Sequence, residues 1–138
     1  MALITPFQAF PAPAKLNLTL AITGRRADAL EAAIAAAGPD GARGVAMPCD
    51  VSNEDAVQAL FAQVKQRFGR LDLLFNNAGM GLPAKTPDEV SGADWRRVVD
   101  VNLNGAFYCL SAAFKQMREQ SPQGGRIINN GSISAHAP

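Results

Sequence analysis

A chain of 138 residues, 48% hydrophobic and 18% charged, has the length of one domain and the apolar content to bury a core. Its formal net charge of +1, with no run of basic residues, gives no footing for nucleic acid or an anionic membrane surface, and no apolar stretch has the length of a membrane span. The two cysteines, Cys49 and Cys109, lie far apart with no metal-ligand spacing, so no metal is expected, and free buried thiols in a reducing compartment, by default the cytoplasm, are.

Pro6, Pro11 and Pro13 prevent a continuous helix near the start. Leu20-Ala21-Ile22-Thr23 is a strand candidate that ends in Gly24-Arg25-Arg26. Ala27 to Ala37 is rich in Ala, with Leu30, Ile34 and Ala37 spaced along one side, and predicts a helix stopped by Gly38-Pro39-Asp40-Gly41. Gly44 to Met47 is a short strand, and after Asp50-Val51 comes Ser52, a candidate N-cap with Asp55 three residues on. Val57, Leu60, Phe61, Val64 and Phe68 recur at helical steps as the apolar face of the next helix, which Gly69 stops.

Leu71, Leu73, Leu74 and Phe75 suit a strand buried on both faces, as in a parallel sheet covered by helices. Trp95, Val98, Val99, Leu103, Ala106, Phe107, Leu110, Phe114 and Met117 then form one stripe, predicting a long buried helix from Asp94 to about Gln120. Asn102 lies on that stripe, where an amide without partners costs about 1–3 kcal/mol; it either bridges neighbouring backbone or has a chemical task. Arg126 to Asn129 is a last strand, followed by Gly131-Ser132. Strand and helix alternate as in a doubly wound α/β sheet.

Asn76-Asn77-Ala78-Gly79 stands at the carboxyl end of its strand, where open α/β sheets bind ligands, and its small residues let a backbone come close. The residues alone also fit an ordinary strand-to-loop turn. The tetrapeptide closely resembles the signature of the short-chain dehydrogenase/reductase family, and from about Thr19 to Pro138 further motifs agree in order. The resemblance implies an incomplete, Rossmann-like parallel sheet with flanking helices and hydride transfer between a nicotinamide cofactor and a small carbonyl or alcohol substrate. Arg25 and Arg26, with no acid to hold a ribose 2′-hydroxyl, resemble the members that prefer NADP over NAD, because a guanidinium pairs well with a 2′-phosphate; otherwise they are solvated residues at a helix start. Asp50 and Val51 match the family's adenine-side pair, although Asp50 has an alternative reading as a helix cap. Asn76, Ala78 and Gly79 match residues lining the cofactor. Asn102 in Val101-Asn102-Leu103-Asn104-Gly105 matches the catalytic Asn of a water-mediated proton relay, and Ser132 in Gly131-Ser132-Ile133-Ser134 matches the catalytic Ser, with Ser134 the weaker choice. His136 is read as structural or exposed. The long helix after Trp95 is a candidate surface for a homo-oligomer.

The chain departs from the family pattern in two ways. No Thr-Gly-x-x-x-Gly-x-Gly turn precedes Arg25, and the family's Tyr and Lys, expected beyond the Ser, are not found; Tyr108, in Phe107-Tyr108-Cys109-Leu110, is no substitute. The expectation is therefore a partial dinucleotide-binding domain over 19–138 with an atypical segment, 1–18, in place of the first strand and glycine loop, inactive on its own. The alternative is a non-catalytic fused or truncated fragment with at most weak nucleotide binding. Pro11-Ala12-Pro13-Ala14-Lys15-Leu16-Asn17, continuing to Asp28, resembles the opening of the diphosphocytidyl-methylerythritol kinases, with Lys15 and Asn17 at the substrate-site positions, and leaves a remote reading as a kinase fragment. Either Met1 to Thr5 or Leu16 to Thr23 is left to fill the central slot of the sheet.

Overall fold

The computed structural model describes residues 2–5 and 19–132, with backbone only for the first segment. Lys15, Asn17, Ser134 and His136 lie outside the described residues. Five strands form one sheet: β1 (Ala2–Thr5), β2 (Thr19–Ile22), β3 (Gly44–Ala46), β4 (Leu73–Asn76) and β5 (Arg126–Asn129), in the order β3-β2-β1-β4-β5. The central slot thus goes to residues 2–5. β2 pairs parallel with β3 and β4 parallel with β5, as a doubly wound sheet requires. β1, however, runs antiparallel to both neighbours, with Ala2 opposite Ile22 on one side and Phe75 on the other, so the sheet is not parallel throughout. An antiparallel neighbour needs no crossover connection, whereas a parallel one needs a crossover of about a dozen residues or more.

Helix α1 (Ala27–Ala36) buries Leu30 and packs on β3; Ala37, expected on its apolar side, is the exposed C-cap. Helix α2 (Glu54–Phe68) buries Val57, Leu60, Phe61 and Val64 and ends at Gly69, whose φ of 76° is left-handed, the conformation that favours glycine there. Its N-cap is Asn53, which accepts the Ala56 N–H at 2.9 Å, and not Ser52, which is bonded to Asp50.

The expected long helix is two helices, α3 (Gly92–Val99) and α4 (Gly105–Glu119), joined by a π-helical turn over Asp100–Asn104. Its burial departs from the expectation: of the expected stripe Met117 is buried and Val98, Val99, Ala106 and Leu110 are half-buried. Trp95, Leu103, Phe107 and Phe114 are each about 60% exposed, while the inward face carries Gly105, Cys109, Ala112, Ala113, Gln116 and Met117. Small residues let α4 come close to the sheet and to α2, and the bulky side chains are left outside. At Gly105 the approach is close: a Cβ there would sit 2.9 Å from the Val51 carbonyl oxygen.

The core lies on one face of the sheet, where Leu71 and Leu74 meet the inward sides of α2 and α4. Each fully buried Leu or Val stabilises the fold by about 1.5–3 kcal/mol. Leu73 and Phe75, expected to be buried on the second face, are only half-buried, because α4 covers the side to which Leu74 and Asn76 point. Ahead of β4 the Gln120 side chain replaces a strand partner: its oxygen accepts the Leu71 N–H at 2.8 Å and its nitrogen donates to the Leu71 carbonyl at 2.9 Å.

Candidate functional site

The carboxyl ends of β2, β3 and β4 open onto a cavity of about 250 Å³. Gly24 and Arg25 line it after β2, Cys49, Asp50 and Val51 after β3, and Asn77, Ala78, Gly79 and Met80 after β4. Backbone bonds beyond the strands hold the first two segments together, Met47 N–H to Ile22 O and Cys49 N–H to Gly24 O, both at 2.9 Å. Arg25 also borders a shallower hollow with Arg26 and Leu30 at the start of α1, a helix end with no side-chain cap. Its free backbone N–H groups and the two guanidinium groups make that end of the cleft positive.

Asp50 supplies the opposite charge. Its carboxylate accepts the Ser52 hydroxyl at 2.7 Å and the Ser52 N–H at 3.0 Å. The hydroxyl bond holds its pKa below the usual carboxylate range against the opposing effect of burial, with lesser help from the Ser52 N–H and from Arg25. Beside it the Cys49 thiol is pushed up by burial and by the Asp50 charge. An acceptor and a cation thus face one small cleft at the switch point of the sheet, the arrangement by which open α/β sheets hold a nucleotide.

Asn76 and Asn77 have opposite fates, because successive strand residues point to opposite faces. Asn76, expected to line the cofactor, is buried; its amide donates to the Ala106 carbonyl at 2.8 Å and to Asn129 Oδ1 at 3.2 Å, tying β4 to α4 and β5. Asn77 takes the place on the cleft wall, and the period of two was the signal that assigns it. Asn102 is on the exposed surface of the π turn, and both ends of its amide are spent on one residue: Oδ1 accepts the Met80 N–H at 2.7 Å and Nδ2 donates to the Met80 carbonyl at 2.8 Å. The bonds strap the Gly79-Met80 wall to the helix. A π turn replaces i→i+4 bonds by i→i+5, here Gly105 N–H to Asp100 O, and such turns recur at functional sites.

Of the residues singled out in the sequence, Arg25, Asp50, Val51, Ala78 and Gly79 come together around the cleft, and Arg26 borders the adjoining hollow. Asn102 acts on its wall through Met80, and Ser132 stands exposed beyond the end of β5. Met80 and Val101 also line the cleft and had no sequence signal beyond their neighbours.

A family model for the short chain dehydrogenases matches residues 11–138. The chain belongs to the short chain dehydrogenase family. It is 41% identical over 121 residues to a 3beta-hydroxysteroid dehydrogenase of Mediterraneibacter gnavus, a match that takes in 88% of this chain and 43% of the relative. Among solved structures, an NAD+-bound xylitol dehydrogenase superposes with a TM-score of 0.76 at 34% identity, covering 84% of this chain and 44% of the other. A variant of ElxO with NADPH bound gives a TM-score of 0.75 at 27% identity, covering 84% and 46%. The chain therefore spans less than half the length of these short chain dehydrogenases. The family match takes in Lys15 and Asn17, and the kinase likeness of the N-terminal residues finds no support. Among the described residues no helix is long and apolar enough to cross a membrane, and no cluster of metal-ligating side chains occurs.

Proposed function

We propose that this member of the family takes part in NADP-dependent hydride transfer to or from a small carbonyl or alcohol. The observation that carries the reading is the cleft at the ends of β2, β3 and β4, with Arg25 on one side and Asp50 on the other. Its residues fit the adenosine end of a dinucleotide: a carboxylate kept ionised for an adenine amino group, a guanidinium for a 2′-phosphate, and Ala78-Gly79 where a backbone can come close. When bound, a nicotinamide cofactor supplies or accepts the hydride. Asn102 keeps the Met80 wall in place and stands at the position to which the family resemblance assigns a water-mediated relay. Ser132 offers its hydroxyl to the substrate oxygen.

A second reading, weak nucleotide binding without turnover by these 138 residues, is favoured by two observations. No glycine precedes Gly24, so a glycine-rich phosphate turn is missing from the sequence, and the single tyrosine, Tyr108, packs on the core and edge-on to Phe107 at 6.3 Å. In that reading residues 2–5 replace the first strand of a partial domain over 19–138. The exposed side of α3 and α4 supports a homo-oligomer, and the buried free thiols support a reducing compartment, the cytoplasm.

Calorimetric titration of the chain with NADPH and with NADH tests the cleft. NADPH is expected to bind more tightly, and Arg25→Ala to weaken it by about tenfold or more, the worth of a charge-assisted hydrogen bond, with little change for NADH. Equal loss for both nucleotides, or tighter binding of NADH by the parent chain, overturns the assignment of Arg25. Oxidation of NADPH with a ketone panel above the level of a Ser132→Ala control overturns the second reading.

A further inference from the structure

The cleft wall and the segment bearing Ser132 are joined by a bond outside the residues that the family pattern singles out. β4 ends at Asn76 with Asn77 directly after it, β5 ends at Asn129 with Asn130 directly after it, and the parallel register sets Asn76 beside Asn129. Two amide pairs result, one on each face of the sheet, as the period of two demands. The inner pair, Asn76 with Asn129, is anchored to α4 through the Ala106 carbonyl. The outer pair is Asn77 with Asn130: Asn130 Nδ2 donates to Asn77 Oδ1 at 2.5 Å, and Asn77 lines the cleft. Past Asn129 the ladder gives out, although the Asn130 N–H still reaches the Asn76 carbonyl at 3.0 Å. Gly131 follows, a residue whose backbone is the least restrained of any, and then Ser132.

We infer that Asn130 is a positioning residue: by clamping Asn77 it fixes the end of β5 against the cleft wall and so sets where the Ser132 hydroxyl stands. The inference rests on the reading of Ser132 as the group that meets the substrate, but its test needs neither cofactor nor turnover, so the two fail separately. The pairing has a polarity. Asn130 donates and Asn77 accepts, which leaves the Asn77 amide nitrogen for the cleft. An Asp in place of Asn130 can still be paired if the Asn77 amide turns over and donates to it, whereas a Val, close in size, cannot be paired at all.

The test is amide hydrogen exchange on the 138-residue chain, read at residue 130, whose N–H is bonded to the Asn76 carbonyl at 3.0 Å, with α2 as internal reference. In Asn130→Val, exchange at this amide, corrected for residue type, rises about two- to tenfold, the range of a single net hydrogen bond, with α2 still protected. Asn77→Ala, which removes the acceptor from the other side, raises it equally. Asn130→Asp keeps parent protection. The inference is overturned if Asn130→Val leaves the amide of residue 130 as protected as before, or if Asn130→Asp loosens it as much as Asn130→Val does, since the side-chain bond would then not be what holds this end of the strand.

Discussion

Replacing Gly105 by Ala probes the contact that sets the distance between α4 and the cleft. The added Cβ would meet the Val51 carbonyl oxygen and Cγ2 at 2.9 Å and the Val51 carbonyl carbon at 3.1 Å. Two of these are backbone atoms, so no side-chain rotation relieves the contact, and either α4 or the Asp50-Val51 turn has to move. Over-packing of this kind costs about 1–3 kcal/mol. Alanine in place of glycine within a helix returns about 1 kcal/mol at most, so with the contact on backbone a net loss of about 1–2 kcal/mol is expected. With a urea slope of about 1–3 kcal/mol per molar for a chain of this size, the unfolding midpoint falls by roughly 0.3–2 M. Gly81→Ala is the control. A Cβ there meets no atom within 4 Å, and its midpoint should move by no more than about 0.5 kcal/mol in equivalent stability. Because Val51 lines the cleft, nucleotide affinity in Gly105→Ala should fall along with stability. A midpoint equal to or above that of the parent chain would refute the reasoning, for it would mean that the helix does not run against Val51.

Two further outcomes are expected. Burial, aided by the nearby Cys49, pushes the Cys109 thiol up from 9.0 to about 12. The unfolded chain loses this proton first, so the thiol's contribution to stability is complete below about pH 9 and is lost as pH rises towards about 12; denaturant titrations of parent and Cys109→Ala across that window check it, and an equal alkaline decline in both refutes it. Phe107→Asp places a charge in the exposed stripe with Leu103 and Phe114. Sedimentation should show the parent chain self-associating and the variant monomeric, and a parent that stays monomeric at high concentration removes the case for a second copy on this face.

Much of the fold was legible in the sequence. The apolar spacing from Val57 to Phe68, with Gly69 as its stop, is a local signal, because a helix one side of which meets a core must repeat at 3.6 residues. The family motifs were legible for a different reason: Asn76 to Gly79, Asp50 and Arg25 are tied by chemistry to strand ends, whose positions the alternation of elements gives. Asn53 as cap and Ser52 as partner of Asp50 were not distinguishable, since either side chain can cap a helix and only the turn geometry selects one.

Which face of a helix is buried is a different kind of question. The stripe from Trp95 to Met117 has the periodicity of a core face, yet α4 turns Gly105, Cys109, Ala112 and Ala113 inward and leaves Phe107 and Phe114 exposed, as is Leu103 on the π turn before it. Apolar pattern shows that a surface seeks cover, whether from its own core or from another molecule, and small residues on the opposite side gain more by close packing against the sheet. By itself, then, the sequence determined the family, the alternation of strands and helices after Thr19, and the residue types gathered at the strand ends. Tertiary structure decided that residues 2–5 enter the sheet antiparallel, that Asn77 rather than Asn76 faces the cleft, and that the amides of Asn102 and Asn130 act as straps. Strand direction, register and side-chain partners are set by contacts between segments far apart in the chain, and no local pattern carries them.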